Sequence, residues 1–191
     1  GVPFDNGAVI GAYRTDILEQ AGYTTADLTD IDWNRFIEIG KDVKAKTGTY
    51  MLSGQADSPD TIMMMLQSAG ASLFDEDGKP AMTDNAALKE CIDIYKTMVD
   101  EGIYLEVNKW DDYVTSITKG SVAGVINGNW IIATIQGMED TAGKWEITNM
   151  PKLIKTPNAT NYSNNGGSSW YITSNCKNQD LAIDFLKSTF A

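Results

Sequence analysis

Histidine is absent from all 191 residues. That removes the commonest general base and the commonest transition-metal ligand, and it excludes any Ser-His-Asp or Cys-His catalytic machinery within the chain. Cysteine is nearly absent too. Cys91 and Cys176 stand far apart in sequence, and two cysteines do not make a disulfide framework. Cys91 falls on the apolar side of a helical pattern, where a free thiol behaves as a small core residue. No apolar run approaches the roughly 18 residues that a membrane-spanning helix needs. Positive charge is scarce: 15 Lys and Arg stand against 26 Asp and Glu, for a net charge of −11. A surface of that sign repels phosphate backbones and anionic lipid, which disfavours nucleic-acid binding and docking on a membrane surface. The opening Gly1-Val2-Pro3-Phe4-Asp5 lacks the basic and apolar regions of a signal peptide and begins on a strand pattern. It reads as the start of a piece of something longer.

What is present is a core-forming composition. Hydrophobic residues make up 42% of the chain, ample for a packed domain. Val2 to Tyr13 reads as a strand broken at Asp5-Asn6-Gly7, and Thr15 to Ala21 as a short helix stopped by Gly22. Asp32 caps a helix whose apolar stripe is Trp33, Phe36, Ile37, Gly40 and Val43. Tyr50 to Leu52 is a short strand, Ser53 to Pro59 a loop, Asp60 to Ala69 a helix, and Gly70 to Met82 a hairpin with Asp77-Gly78 at its tip. Asp84 is expected to cap a long helix facing inward through Leu88, Cys91, Ile92, Tyr95, Met98 and Val99. A helix from Asp111 to Lys119 follows, then a buried strand Val122 to Asn127, a turn, and a short helix from Trp130 to Gln136. Trp145 to Met150 and Gly166 to Ile172 read as strands. Between them Pro151 to Asn165 is polar and loop-like. Asn178 caps a last helix with Leu181, Ala182, Phe185, Leu186 and Phe190 inward. Helices alternate with short strands, so the fold class is α/β.

Several pieces, in this order, resemble a known family. They are Pro3-Phe4-Asp5-Asn6-Gly7 with Ala12-Tyr13-Arg14-Thr15-Asp16, then Asp32-Trp33-Asn34-Arg35-Phe36. Lys119-Gly120 through Gly128-Asn129-Trp130 follows, and last Gly166-Gly167-Ser168-Ser169-Trp170 with the helix after Asn178. Together they resemble the carbohydrate-binding extracellular solute-binding proteins (family 1) of ABC transporters. That resemblance implies a periplasmic-binding-protein-like type II fold, with one lobe and part of the second in this chain. Residues 1–12 would be the hinge-crossing strand, 13–155 the C-terminal α/β lobe, and 156–191 the return crossing with a strand and helix of the N-terminal lobe. It implies a sugar ligand held between lobes, a membrane permease as partner, and an extracytoplasmic location, periplasmic or as a cell-surface lipoprotein with its lipid anchor upstream. It implies no cofactor, no metal and no catalysis.

Sugars are held by an aromatic face against the C–H face of the ring and by carboxylates and amides on the hydroxyls. Trp130 ends a buried strand after a glycine turn and matches the family's stacking tryptophan. Trp110 precedes a helix at a plausible rim. Asp5 and Asn6 interrupt the first strand, Asp57 and Asp60 occupy the family's ligand-facing loop, and Gly166-Gly167 admit close backbone approach. Trp170 is either a core residue or a cleft residue. The aromatic and glutamate that maltose-binding members carry near Asp57 are missing here, which leaves the sugar open. Two other readings stand beside this one: a glycoside-active enzyme, and a receptor for a peptide or polyamine.

Overall fold

The structure, a computed structural model, describes residues 1–190, so the final position of the 156–191 segment lies outside it. In chain order the elements are β1 (Val2–Pro3), β2 (Val9–Arg14), α1 (Thr15–Ala21), α2 (Trp33–Thr47), β3 (Leu52–Gln55), α3 (Asp60–Ser68), α4 (Ala86–Asp100), β4 (Tyr104–Val107), α5 (Trp110–Thr118), β5 (Gly124–Gly128), α6 (Ile132–Gln136), β6 (Trp145–Thr148), β7 (Ser169–Trp170) and α7 (Gln179–Phe190). A 3-10 turn, Asn129–Ile131, joins β5 to α6.

The central strands β5-β2-β6 pair antiparallel, and β3 pairs with β4 in parallel. Backbone bonds from Ala123 to Tyr50 (2.7 Å) and from Gly124 to Met51 (3.0 Å) carry the ladder across from β5 to the segment before β3. The strands so joined have helices on both faces. One core collects α1, α2, α3 and α4 through Leu18, Trp33, Phe36, Met65, Cys91 and Met98. The other lies under α5 and α6, through Tyr113, Ile117, Val122, Val125 and Ile131. Each large side chain so buried stabilises the fold by about 1.5–3 kcal/mol. Met64 and Met65 fill the first core, and Cys91 is fully buried and free.

Asp32 caps α2 as the sequence indicates, accepting from the Arg35 N–H at 2.9 Å. At α4 the cap is one residue later than expected. Asp84 turns into the left-handed region at φ 61, and Asn85 accepts from the Leu88 N–H at 3.0 Å. The Asn85 amide also donates to the carbonyls of Ser72 and Ala81, tying the helix start to the Gly70–Met82 segment. Replacing Asn85 with Ala removes a cap and two tethers. The expected loss is about 1–2 kcal/mol, read as a fall of about 2–8 °C in Tm, whereas Asp84→Ala is expected to cost less.

The inward face of α4 is also rotated from expectation. Ile92 is 46% exposed, while Glu90 is buried at 4%. Glu90 turns inward because three donors meet it there: the N–H groups of Ile154 and Lys155, both at 2.8 Å, and the Thr156 hydroxyl at 2.7 Å. The strand expected at Tyr50–Leu52 runs instead over Leu52–Gln55, because it is registered by β4, an element absent from the sequence reading.

The last quarter of the chain departs most. Only Ser169 and Trp170 of the expected Gly166–Ile172 strand pair, with Pro3 and Val2. The helix expected to face inward does not: Leu181 is 70% exposed and Phe185 61%, and α7 rests on β1. Phe4, Trp170 and Phe190 form a small aromatic cluster there, with ring centroids 5.2 to 6.0 Å apart. Two short strands offer too little surface to cover a 12-residue helix.

Candidate functional site

The carboxyl ends of β3 and β5 open beside the N-termini of α3 and α5, the place where open α/β sheets leave a crevice. A concavity lies there, lined by Ser53, Gln55, Asp60, Trp110, Tyr113 and Asn127 among others. Its wall carries a hydrogen-bond chain of fixed polarity. The Gly128 N–H is only a donor, and it meets Asn127 Oδ1 at 2.8 Å. That orients the Asn127 amide, whose Nδ2 donates to the Tyr113 hydroxyl oxygen at 3.0 Å. The Tyr113 oxygen accepts this bond, which leaves its own proton to be donated. Burial pushes the Tyr113 phenol well above its ordinary pKa, against the opposing effect of the Asn127 bond, so the hydroxyl stays protonated. The same logic sets Ser53. Ser116 donates to the Tyr113 carbonyl at 2.6 Å, so Ser53 must donate to Ser116, also at 2.6 Å, and keeps its lone pairs free. The lining therefore offers a donor at Tyr113 and an acceptor at Ser53, together with the Asp60 carboxylate and the Gln55 amide. Asp60 lies in the first turn of α3 and its side chain makes no capping bond.

The aromatic side is built from two tryptophans. Trp110 is 44% exposed, and its ring lies 5.7 Å from that of Trp130 and 5.3 Å from Tyr113. Trp130 is half-buried beside this lining, and its indole N–H donates to the Asn165 carbonyl at 3.0 Å. It can sit there only because residue 128 is glycine: a Cβ at that position would collide with the indole and with the Asn165 carbonyl. Asn165 in turn donates from its side chain to Asn127 Oδ1 at 2.8 Å.

Two distant segments, residues 5–7 and 165–168, meet beside Trp130. Gly7 accepts from the Asn165 N–H at 2.7 Å. Asn6 accepts from the Asn129 amide at 2.9 Å, and Asp5 from the Ser168 N–H at 2.6 Å. Gly166 and Gly167 follow at φ 110 and 94, a region closed to most side chains. The residues singled out in the sequence thus separate into groups. Asp60 and Trp110 line the concavity and Trp130 flanks it. Asp5, Asn6, Gly166 and Gly167 lie on the two segments that meet beside Trp130, with Asp5 and Asn6 spent on backbone and amide bonds. Asp57 is exposed outside the lining, and Trp170 belongs to the separate β1/β7/α7 cluster.

The sequence profile of the bacterial extracellular solute-binding proteins matches residues 1–191. The chain belongs to that family. Among curated members, the lactose-binding protein of Rhizobium radiobacter is 44% identical over the whole of this chain and 45% of its own length. The arabinooligosaccharide-binding protein of Halalkalibacterium halodurans is 25% identical over 97% of this chain and 42% of its own. The ABC-transporter-associated binding protein of B. animalis subsp. lactis Bl-04, solved with beta-1,6-galactobiose, shares the fold at a TM-score of 0.81. It is 23% identical over 99% of this chain and 47% of that protein. The chain therefore spans less than half the length of these extracellular solute-binding relatives. No described helix is long and apolar enough to cross a membrane.

The candidate site holds residues that the sequence did not single out: Tyr113, Asn127, Asn165, Ser53 and Gln55. A signal was available for Asn127, a polar side chain closing the otherwise apolar Val122–Ile126 run. None was available for Asn165, whose importance arises only when the polar stretch 151–165 folds back on β5.

Proposed function

We propose that this chain supplies one lobe and both crossings of a non-catalytic, two-lobed sugar receptor. Residues 1–12 form the incoming crossing, 13–155 the C-terminal lobe, and 156–191 the return crossing with elements of the other lobe. The observation that carries the reading is the pair Trp110 and Trp130 set beside a lining that offers both donors and acceptors. A sugar ring offers an apolar C–H face to the first and hydroxyls, each both donor and acceptor, to the second. Names of the relatives support it: one binds lactose, another arabinooligosaccharides, and a third was solved with a galactobiose. Short galactosides are accordingly the first class to try. Closure of the two lobes about the crossings would present the loaded form to an ABC-transporter permease, with a lipid anchor upstream holding the receptor at the membrane.

The test is calorimetry and tryptophan fluorescence on the full-length protein. It is titrated with lactose, galactobiose, maltose and arabinotriose, and in parallel with spermidine and a tripeptide. Saturable sugar binding without hydrolysis of the sugar is the expected result. Binding of spermidine or peptide alone, or turnover of an oligosaccharide, would overturn it.

A further inference from the structure

We infer that Asn165 is a positioning residue that couples the return crossing to the aromatic side of the site, an inference that rests on the sugar-receptor reading. Asn165 holds the site at two points on different elements. Its backbone carbonyl accepts from the Trp130 indole N–H at 3.0 Å, and its side-chain amide donates to Asn127 Oδ1 at 2.8 Å. Asn127 continues to the Tyr113 hydroxyl at 3.0 Å, Tyr113 packs on Trp110 at 5.3 Å, and Trp110 packs on Trp130 at 5.7 Å. These contacts close a ring through five side chains and one carbonyl. Asn165 is its only member on the crossing.

The crossing has no slack at this point. The Asn165 N–H is bonded to Gly7 on the other crossing, and a Cβ on Gly7 would lie 2.6 Å from the Asn165 carbonyl carbon. Gly166 follows directly with positive φ, and a Cβ there would meet the Trp130 Nε1 at 3.3 Å. A rotation of the backbone at residues 165–167 therefore moves the carbonyl that orients the Trp130 indole. Conversely, a ring stacked on Trp130 resists that rotation. The polarity of the ring also makes the position selective for an amide. Asn127 cannot flip to accommodate an acceptor at 165, because its Oδ1 is committed to the Gly128 N–H at 2.8 Å.

The test uses the full-length protein with Asn165→Ala and Asn165→Asp. The Trp130 indole N–H, assigned by its loss in Trp130→Phe, is followed by NMR hydrogen exchange without ligand, and lactose affinity is measured by calorimetry. Asn165→Ala keeps the carbonyl and loses the amide tether. It is expected to speed indole exchange by about tenfold and to weaken lactose binding by about five- to tenfold. Asn165→Asp places an acceptor against Asn127 Oδ1 and is expected to be worse than Ala in both readouts. A role in stability alone would lower Tm in the variants without that order in exchange and affinity. Asn165→Ser provides a milder change should either variant fold poorly. Unchanged indole exchange and affinity in folded variants would overturn the proposal. If the unaltered protein binds none of the sugars, the receptor reading fails, and the indole exchange by itself decides whether Asn165 positions Trp130.

Discussion

Trp130→Ala in the full-length protein is expected to weaken sugar binding by a factor of roughly 30 to 150, equivalent to about 2–3 kcal/mol. The size follows from three losses at once. The ring itself goes, and with it an aromatic face for the apolar side of the ligand. Trp110 loses the neighbour 5.7 Å away that fixes its tilt. The Asn165 carbonyl loses its donor, so the crossing is freed where it meets Gly7. Trp110→Ala removes only the more exposed ring and is expected to cost less, about 1–2 kcal/mol. Calorimetry on both variants checks the order. Equal affinity of Trp130→Ala and the unaltered protein would remove the aromatic pair from the binding site.

The second large effect is on stability. Glu90→Ala is expected to destabilise the protein by about 3 kcal/mol, because three donors lose a charged acceptor inside the fold. Glu90→Gln keeps an acceptor for the two N–H groups but sets an amide NH2 against the Thr156 hydroxyl, which loses its acceptor and must turn to accept instead, so it should cost about 1 kcal/mol. The pH dependence has a definite sign. Burial raises the Glu90 pKa, but the bonds from Lys155, Thr156 and Ile154 together outweigh it and hold the carboxyl below its ordinary range. A depressed folded-state pKa means stabilisation that is complete above the unfolded-state pKa and is lost as pH falls through the folded one. The gap between the unaltered protein and Glu90→Gln should therefore be widest near neutrality and close in acid. Urea titrations across pH check it, and a gap that widened on acidification would contradict the assignment.

Glu90 also shows where sequence reading stops. The elements that local rules dictate were legible: α1 ends at Gly22, α2 starts on the Asp32 cap, and β5 shows as an unbroken apolar run. At α4, hydrophobicity points Ile92 inward and offers no reason to bury Glu90. The reverse holds because the partners of Glu90 lie 64 to 66 residues further along the chain. The β4 strand escaped for a similar reason. Tyr104–Val107 is registered by a parallel partner about fifty positions earlier, and nothing local marks it. Asp84 and Asn85 are both capping residues, and only backbone geometry chose between them.

In the site, the division is between kind and wiring. Trp110, Trp130 and Asp60 are candidates on identity alone, and they lie in or beside the concavity. Tyr113, Asn127 and Asn165 matter through who donates to whom, which exists only after three distant segments meet. The α7 stripe, by contrast, was read correctly as amphipathic and wrongly as inward, since a periodic pattern says that a face seeks cover without saying that cover is at hand.

The glycines at 128, 166 and 167 have a consequence for how such a receptor can diversify. At 128 any codon change that adds a side chain drives an atom into the Trp130 indole; at 166 and 167 it imposes a left-handed backbone on a residue that resists it. Mutational paths to a new ligand are therefore closed at these glycines and open at Gln55, Asp60 and Trp110, which can change without disturbing the backbone. Directed evolution of this site for another sugar should begin with libraries at those three positions and leave the glycines alone.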